Sequence, residues 1–266
     1  MQPKPRCPIK RFISFGAGTQ STYLLLRGLE GFFGDIPDGA IFADTQNEPA
    51  HVYEWLARIE SLVAPFPIHR VTAGDLGSAY IGGVRRAAIP VSSLSAEGKP
   101  MMMKRFCSDT FKVRPVRRKI RELVGMRGTA ECWIGISTDE AHRGFKSTGL
   151  KWLSNRYPLL DAGVSRMECV AYIERTVGVK PPRSSCIWCP FHGDRQWLEI
   201  KRNDPQGFEK SCQFDEAIRN LDRDRWSRPR YLHRSLRPLR QVEFKHENQF
   251  TFADGFGNEC EGMCGL

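Results

Sequence analysis

Nine cysteines are spread unevenly along the 266 residues. Cys7, Cys132, Cys169 and Cys212 stand alone, as small buried hydrophobes do. Cys107, the pair Cys186 and Cys189, and the pair Cys260 and Cys264 lie in polar or Gly/Pro-rich surroundings that suit chemistry better. In "SSCIWCPFH" the Cys-x-x-Cys spacing lets two thiolates grip one metal centre without strain. A second stretch, "SFGAGTQST" at 14–22, crowds small and hydroxyl or amide residues between the apolar runs "RFISF" and "YLLLRGLEGFFG". Gly16 and Gly18 permit a tight strand-to-helix turn, and such a turn aims peptide N–H groups at one point. Unpaired amides and the helix dipole both favour a phosphate there. The same glycines also suit a loop with no ligand. The stretch has neither the Gly-Lys-Ser/Thr ending of a P-loop nor the spaced glycines of a dinucleotide fold.

These residues need a framework, and the chain supplies one. "GAIFADTQNEP" is an apolar run that ends at Asp44 and turns polar, as a parallel strand does where it delivers side chains to the ligand edge of a sheet. "AHVYEWLARIESLV" has helical spacing, and "FPIHRVTA" reads as the next strand. Strand, loop, helix and strand in alternation predict a parallel sheet with helices on both faces. Residues 73–106 are rich in Gly, Ser and Ala without a clear period, and are expected to form an active-site loop. Helix resumes at "FKVRPVRRKIRELVG", with Pro115 in its first turn. "AECWIGIS" is a further strand, again ending in polar residues, "STDEAHR". Ser165 and Glu168 have capping-box spacing at the head of "SRMECVAYIERTVG". The expected organisation is an α/β sheet domain over 1–165 and a helical, cysteine-bearing extension over 166–266.

The composition, 41% hydrophobic and 11% aromatic, supports a substantial core. "MQPKPRCPIKRF" lacks the apolar run of a signal peptide, and no segment has the ~20 apolar residues of a membrane span, so a cytoplasmic protein is expected. A reducing cytosol keeps thiols free, which argues against a disulfide framework. Forty Lys and Arg against thirty Asp and Glu give a formal charge of +10, favouring a polyanionic partner or a small anionic nucleotide. The clusters "VRPVRRKIR" and "LDRDRWSRPRYLHRSLRPLR" set Trp226 and Tyr231 among guanidinium groups, a pattern of nucleic-acid surfaces and also of solvated helices.

Three strand ends thus carry the polar motifs, and together they resemble the adenine-nucleotide α-hydrolase superfamily, whose PP-loop binds the pyrophosphate of ATP. The nearest likeness is to the phosphoadenosine-phosphosulfate reductase group and its sulfurtransferase relatives. The resemblance covers roughly residues 1–165 and rests on Ser14, Gly16, Gly18, Gln20, Ser21 and Thr22, with Gln20 where many members carry Asp. It includes Asp44 in "FADTQNEP", which the resemblance puts near the nucleotide. "GISTDEAHR" is similar to a Gly-x-x-x-Asp-Glu-x-x-Arg segment of sulfate-activating relatives, through Gly135, Asp139, Glu140 and Arg143. "KRFCSDTFKVRPVRRKI" resembles the reductase segment that supplies iron–sulfur ligands, except that Cys107 is followed by Ser108 where iron-bearing members have a second cysteine. The tail "NECEGMCGL" resembles the Glu-Cys-Gly-Leu ending whose thiol does the reduction, with Met263 before the last cysteine.

The resemblance implies a [4Fe–4S] cluster on Cys107, Cys186, Cys189 and a tail cysteine, Cys260, with Cys264 left as a reactive thiol. A zinc site on Cys186, Cys189, His192 and one further cysteine satisfies the same spacing. The activity implied is adenylation of an acceptor by ATP and Mg²⁺, then displacement of AMP by sulfur from a donor protein, the acceptor being a tRNA base or the DNA backbone. Catalytic weight falls on Asp44 and Cys264. The alternatives are reduction of phosphoadenosine phosphosulfate with a thiol donor, and a non-catalytic nucleotide-binding component of a DNA modification or defence complex.

Overall fold

The computed structural model describes residues 8–145, 147–221 and 228–244. Five parallel strands form its central sheet: β1 (Lys10–Phe15), β2 (Gly39–Asp44), β3 (Ile68–Thr72), β6 (Ala130–Ile134) and β7 (Leu153–Arg156), in the order β3-β2-β1-β6-β7. β1 is central, with Phe12 in register with Gly39 on one side and Cys132 on the other. β2 is buried along nearly its whole length, whereas the edge strand β3 is not. Near-continuous apolar runs are what a parallel sheet covered on both faces requires.

One face is covered by α1 (Thr19–Leu29), α2 (Ala50–Val63) and α6 (Arg166–Val177) around Leu24, Trp55, Leu56, Trp133 and Ile173. α6 thus lies on α1, although it opens the expected extension. The other face is covered by α4 (Arg114–Val124), whose Val116 and Ile120 meet Phe12, Ile41 and Cys132. Pro115 stands in its first turn, and one π-helical turn, Asp109–Val113, leads into it. A single turn of helix, α5 (Pro158–Asp161), separates β7 from α6. The capping box of α6 forms between Ser165 and Glu168, and Gly178 ends the helix in the left-handed conformation.

A third apolar cluster contains no residue of the parallel strands. It unites α3 (Leu76–Ile81), α7 (Asp194–Asn203), α8 (Pro205–Ile218) and 232–244 around Trp197, Phe214 and Leu239, with Cys107, Cys186 and Trp188 packed against it. Residues 73–106 are therefore more regular than their composition implies. They include α3 and a hairpin of β4 (Ser92–Leu94) and β5 (Pro100–Met102). Elements of three to six residues are too short to show a period, so the sequence read as loop.

From β1 the sheet grows outward to β2 and β3, and the chain then crosses to the other side of β1 to add β6 and β7. The order reverses between β1 and β6, and a crevice at the carboxyl ends of strands forms at such a switch point. The loops after β1 and β6 are those that carry the Gly16–Gly18 and Gly135–Arg143 motifs.

Candidate functional site

The β1–α1 loop makes one tight turn, with Ala17 itself at φ +56° between the two glycines. Ser21 Oγ accepts from the amides of Gly16 (3.3 Å) and Gly18 (3.2 Å). The amides converge on one point, as the spacing predicts, and a side-chain oxygen occupies it. Ser14, Thr19, Gln20, Ser21 and Thr22 are all buried, and a buried amide must find an acceptor. Gly135 explains the closeness of the next strand. A Cβ there would lie 2.9 Å from Ser21 N and 3.0 Å from Gln20 C, so only glycine lets β6 run this near the first turn of α1. Thr22 Oγ1 accepts from the Trp55 indole at 3.1 Å, which ties α1 to α2.

Gln20 links the two sides of the switch point. Its amide donates to Glu140 Oε2 at 3.0 Å and to Ser137 Oγ at 3.4 Å, while its carbonyl accepts from Arg166 at 3.3 Å. Arg143 donates to the other oxygen of Glu140. Asp139 accepts from Ser137 Oγ at 3.2 Å and from the Arg166 amide at 2.6 Å. Asp44 ends β2 on the same edge and accepts from the Gln46 amide (2.7 Å) and the Tyr53 hydroxyl (2.8 Å). Burial, reinforced by the neighbouring carboxylate, holds the Tyr53 phenol protonated well above its ordinary range.

The cysteine segment is seated directly on these loops. Ser184 Oγ donates to the Gly16 carbonyl, and the Ile187 amide donates to Asn47 O at 2.8 Å. Cys186 Sγ lies 3.3 Å from Thr45 Oγ1 and 3.9 Å from Glu48 Oε1. The same Glu48 oxygen accepts from Lys112 Nζ at 3.1 Å, with side-chain exposures of 1% and 6% for the pair. A carboxylate this deep persists only with a cation beside it. Burial pushes the Cys186 thiol well up and Glu48 adds to the effect, while Lys112 opposes it, so the sulfur is held as a thiol that donates to Glu48.

Cys186 and Cys189 belong to one turn, with the Cys189 amide on the Cys186 carbonyl at 3.0 Å. His192 also turns its Nε2 to that carbonyl, at 3.0 Å, and burial drives its pKa down to about 4. Cys107 and Cys186 border the same third cluster, but among the described residues no three His, Cys, Asp or Glu side chains form a group able to hold a metal ion. Cys260 and Cys264, the expected ligand and reactive thiol, lie outside the described residues, as do Cys7 and Trp226. Cys132, Cys169 and Cys212 are buried, as lone hydrophobic cysteines should be. Burial raises Cys132 to about 12.

The structure therefore brings Ser14, Gly16, Gly18, Gln20, Ser21, Thr22, Asp44, Gly135, Asp139 and Arg143 to one sheet edge, with Cys186 against it. Sequence reading did not single out Glu48, Lys112, Ser184 or Arg166. A signal existed for Lys112, which stands between Phe111 and Val113 in an apolar stripe, where a buried cation demands a partner. Comparison of the chain with protein-family models, with curated proteins and with solved structures returns no match.

Proposed function

We propose that the chain binds an adenine nucleotide at the switch point and uses it to activate an oxygen of a nucleic acid for replacement by sulfur. The observation that carries this reading is the thiol of Cys186 at 3.3 Å from Thr45 Oγ1, one residue beyond the strand-end Asp44. Activation and sulfur delivery need the nucleotide and a sulfur centre in one cavity, because reacting atoms must approach to ~3–3.5 Å.

In the first step an acceptor oxygen attacks the α-phosphorus of ATP, the bond to the β-phosphate oxygen breaks, and pyrophosphate leaves. In the second, the outer sulfur of a donor protein's cysteine persulfide attacks the atom that bears the adenylated oxygen and AMP departs with that oxygen; a second thiol of the donor then cleaves the S–S bond, which leaves the sulfur on the acceptor as a thiolate and the donor oxidised to a disulfide. The chain's part in the first step is electrostatic. The amides of Gly16 and Gly18, at the positive end of α1, suit the charge that grows on the pyrophosphate. A phosphate oxygen takes the place now held by Ser21 Oγ, so binding requires that hydroxyl to rotate away from the two amides. Mg²⁺ supplies further countercharge to the leaving group when bound. Asp44 is held in one orientation by the Gln46 amide and Tyr53, facing the edge where the nucleotide would lie. The network of Gln20, Glu140 and Arg166 locks the first turn of α1 against the β6 loop and so fixes the loop that receives the phosphates.

Cys107, Cys186 and Cys189 with Cys260 are the thiols that would hold an iron–sulfur cluster, and no step above runs through one. Such a cluster would supply sulfide or an electron reservoir. Iron and acid-labile sulfide analysis of anaerobically purified protein tests it, and stoichiometric zinc without iron would replace it.

The function itself is tested by pyrophosphate release from ATP with tRNA or DNA present. Release that depends on the nucleic acid is expected. Sulfite release from phosphoadenosine phosphosulfate without pyrophosphate would assign sulfonucleotide reduction instead. Neither activity in folded, metal-loaded protein would assign a non-catalytic nucleotide-binding role.

A further inference from the structure

The basic segment "YLHRSLRPLR" sets a histidine and a serine two residues apart, and neither takes part in the nucleotide edge. Asp215 of α8 clamps both ends of the loop that carries them. Itself 1% exposed, it accepts from the Leu232 amide at 2.7 Å, from the Leu239 amide at 3.0 Å and from Arg219. A loop tied at both ends to one buried group presents its side chains in a fixed arrangement.

Within that loop His233 lies with Nε2 3.3 Å from Asp194 Oδ1 and Nδ1 2.7 Å from Ser235 Oγ. The Ser235 amide also donates to Nδ1, at 3.2 Å. An amide N–H can only donate, so in the neutral ring Nδ1 carries the lone pair and the proton sits on Nε2, facing Asp194. The Ser235 hydroxyl therefore meets Nδ1 as a donor. Burial pushes the ring below its ordinary value, Asp194 and Asp215 pull it up and Arg234 pulls it down. Asp194 opens α7, where the helix dipole favours its charge, and Arg234 donates to its Oδ1 at 3.3 Å.

Hydroxyl, imidazole and carboxylate are thus linked in that order. The His233 and Asp194 side chains are 5% and 8% exposed, whereas Ser235 is exposed. A buried histidine already satisfied by Asp194 and by a backbone amide has no structural need of the hydroxyl, and water could solvate that hydroxyl without the histidine. The next residue, Leu236, is held at φ +56°, a left-handed conformation that is costly for a side chain of its bulk. Such strain collects where a neighbouring group must be aimed.

We propose that Ser235 is a nucleophile toward carboxylic esters, with His233 as its general base and Asp194 as the positioning residue that fixes the tautomer of the ring. Ser235 Oγ bonds to the ester carbonyl carbon while its proton passes to His233 Nδ1. The bond from that carbon to the alcohol oxygen breaks, and Nδ1 gives the proton to the departing alkoxide. Water, deprotonated by His233, then attacks the acyl-serine; the acid leaves, and the proton returns to Oγ. This activity goes beyond the nucleotide reading and uses none of the switch-point residues.

The test is covalent labelling of the full chain by a fluorophosphonate, in which Oγ displaces fluoride from phosphorus, with the adduct mapped by peptide mass spectrometry. An adduct on Ser235 is expected, together with hydrolysis of p-nitrophenyl acetate. S235A should abolish both while its melting temperature stays that of the parent, because the side chain is exposed. H233N, folded by circular dichroism, should slow labelling about 100-fold or more, the usual worth of a general base. The parent reads the base without any substitution: labelling should be full at pH 7.5 and fall as acid protonates His233, with a midpoint below the ordinary value of about 6.5. D194N should move that midpoint lower still, since the carboxylate no longer supports the imidazolium. The inference is overturned if Ser235 carries no phosphonate, if S235A hydrolyses the ester as fast as the parent, or if labelling of the folded parent is flat between pH 7.5 and 5. A midpoint unmoved in D194N would overturn the role of Asp194.

Discussion

Replacing Lys112 by methionine would remove the cation that lies against the buried Glu48 carboxylate. Nζ and Oε1 are 3.1 Å apart, and the side chains are 6% and 1% exposed, so solvent cannot take over. Two other groups on the same oxygen, the Thr45 hydroxyl at 3.4 Å and the Cys186 thiol at 3.9 Å, carry no positive charge. Removing one member of such a pair costs about 3–5 kcal/mol, whereas replacing both by groups of similar shape is often neutral. For a chain of this size each kcal/mol moves the midpoint by roughly 2–4 °C, so K112M should melt on the order of 10 °C lower. The double variant E48Q/K112M should recover most of that loss. The assay is urea denaturation followed by tryptophan fluorescence for the parent, both single variants and the double, which together give the coupling energy. A loss below about 1 kcal/mol for K112M, the range of exposed pairs, would refute the reasoning that this junction is dry.

Two further outcomes follow from the same geometry. Gly135→Ala should cost about 1–3 kcal/mol and lower nucleotide affinity, since its methyl meets the Ser21 and Gln20 backbone at 2.9–3.0 Å; Gly39→Ala, whose contacts begin at 3.5 Å, is the control and should be near neutral in the same thermal melt. Acid should weaken the fold because burial lowers His192 to about 4, and lowers His233 and His51 as well, below their ordinary value. The unfolded chain then binds protons that the folded chain refuses, so stability is full above the unfolded value near 6.5 and declines as pH falls towards 4. His192 alone accounts for on the order of 3 kcal/mol of that decline, and denaturation at pH 7.5, 6 and 5 should show it; a flat profile would mean that the ring titrates normally.

Much of the framework is legible in the sequence because it is local. Gly16 and Gly18 between an apolar run and a helical one specify a tight turn, and Ser165 with Glu168 specifies a helix start, since both depend on residues a few positions apart. β7 escaped notice because "LSNR" is short and half polar, and β4 and β5 because three residues make no pattern. What occupies the amide-lined turn was equally hidden. The spacing predicts convergent N–H groups, but only the fold turns the Ser21 hydroxyl into them and lays Ser184 over Gly16.

By itself, then, the sequence determined the alternation of strands and helices, the turn chemistry at each strand end and the excess of positive charge, because each follows from neighbouring residue types. The tertiary structure alone decided that Glu48 meets Lys112 across 64 positions, that Cys186 reaches Thr45 across 141, and that Gln20 spans to Glu140 across 120. Such contacts depend on the order in which strands join the sheet and on burial that forces polar groups to find partners. No periodicity along the chain records either of them.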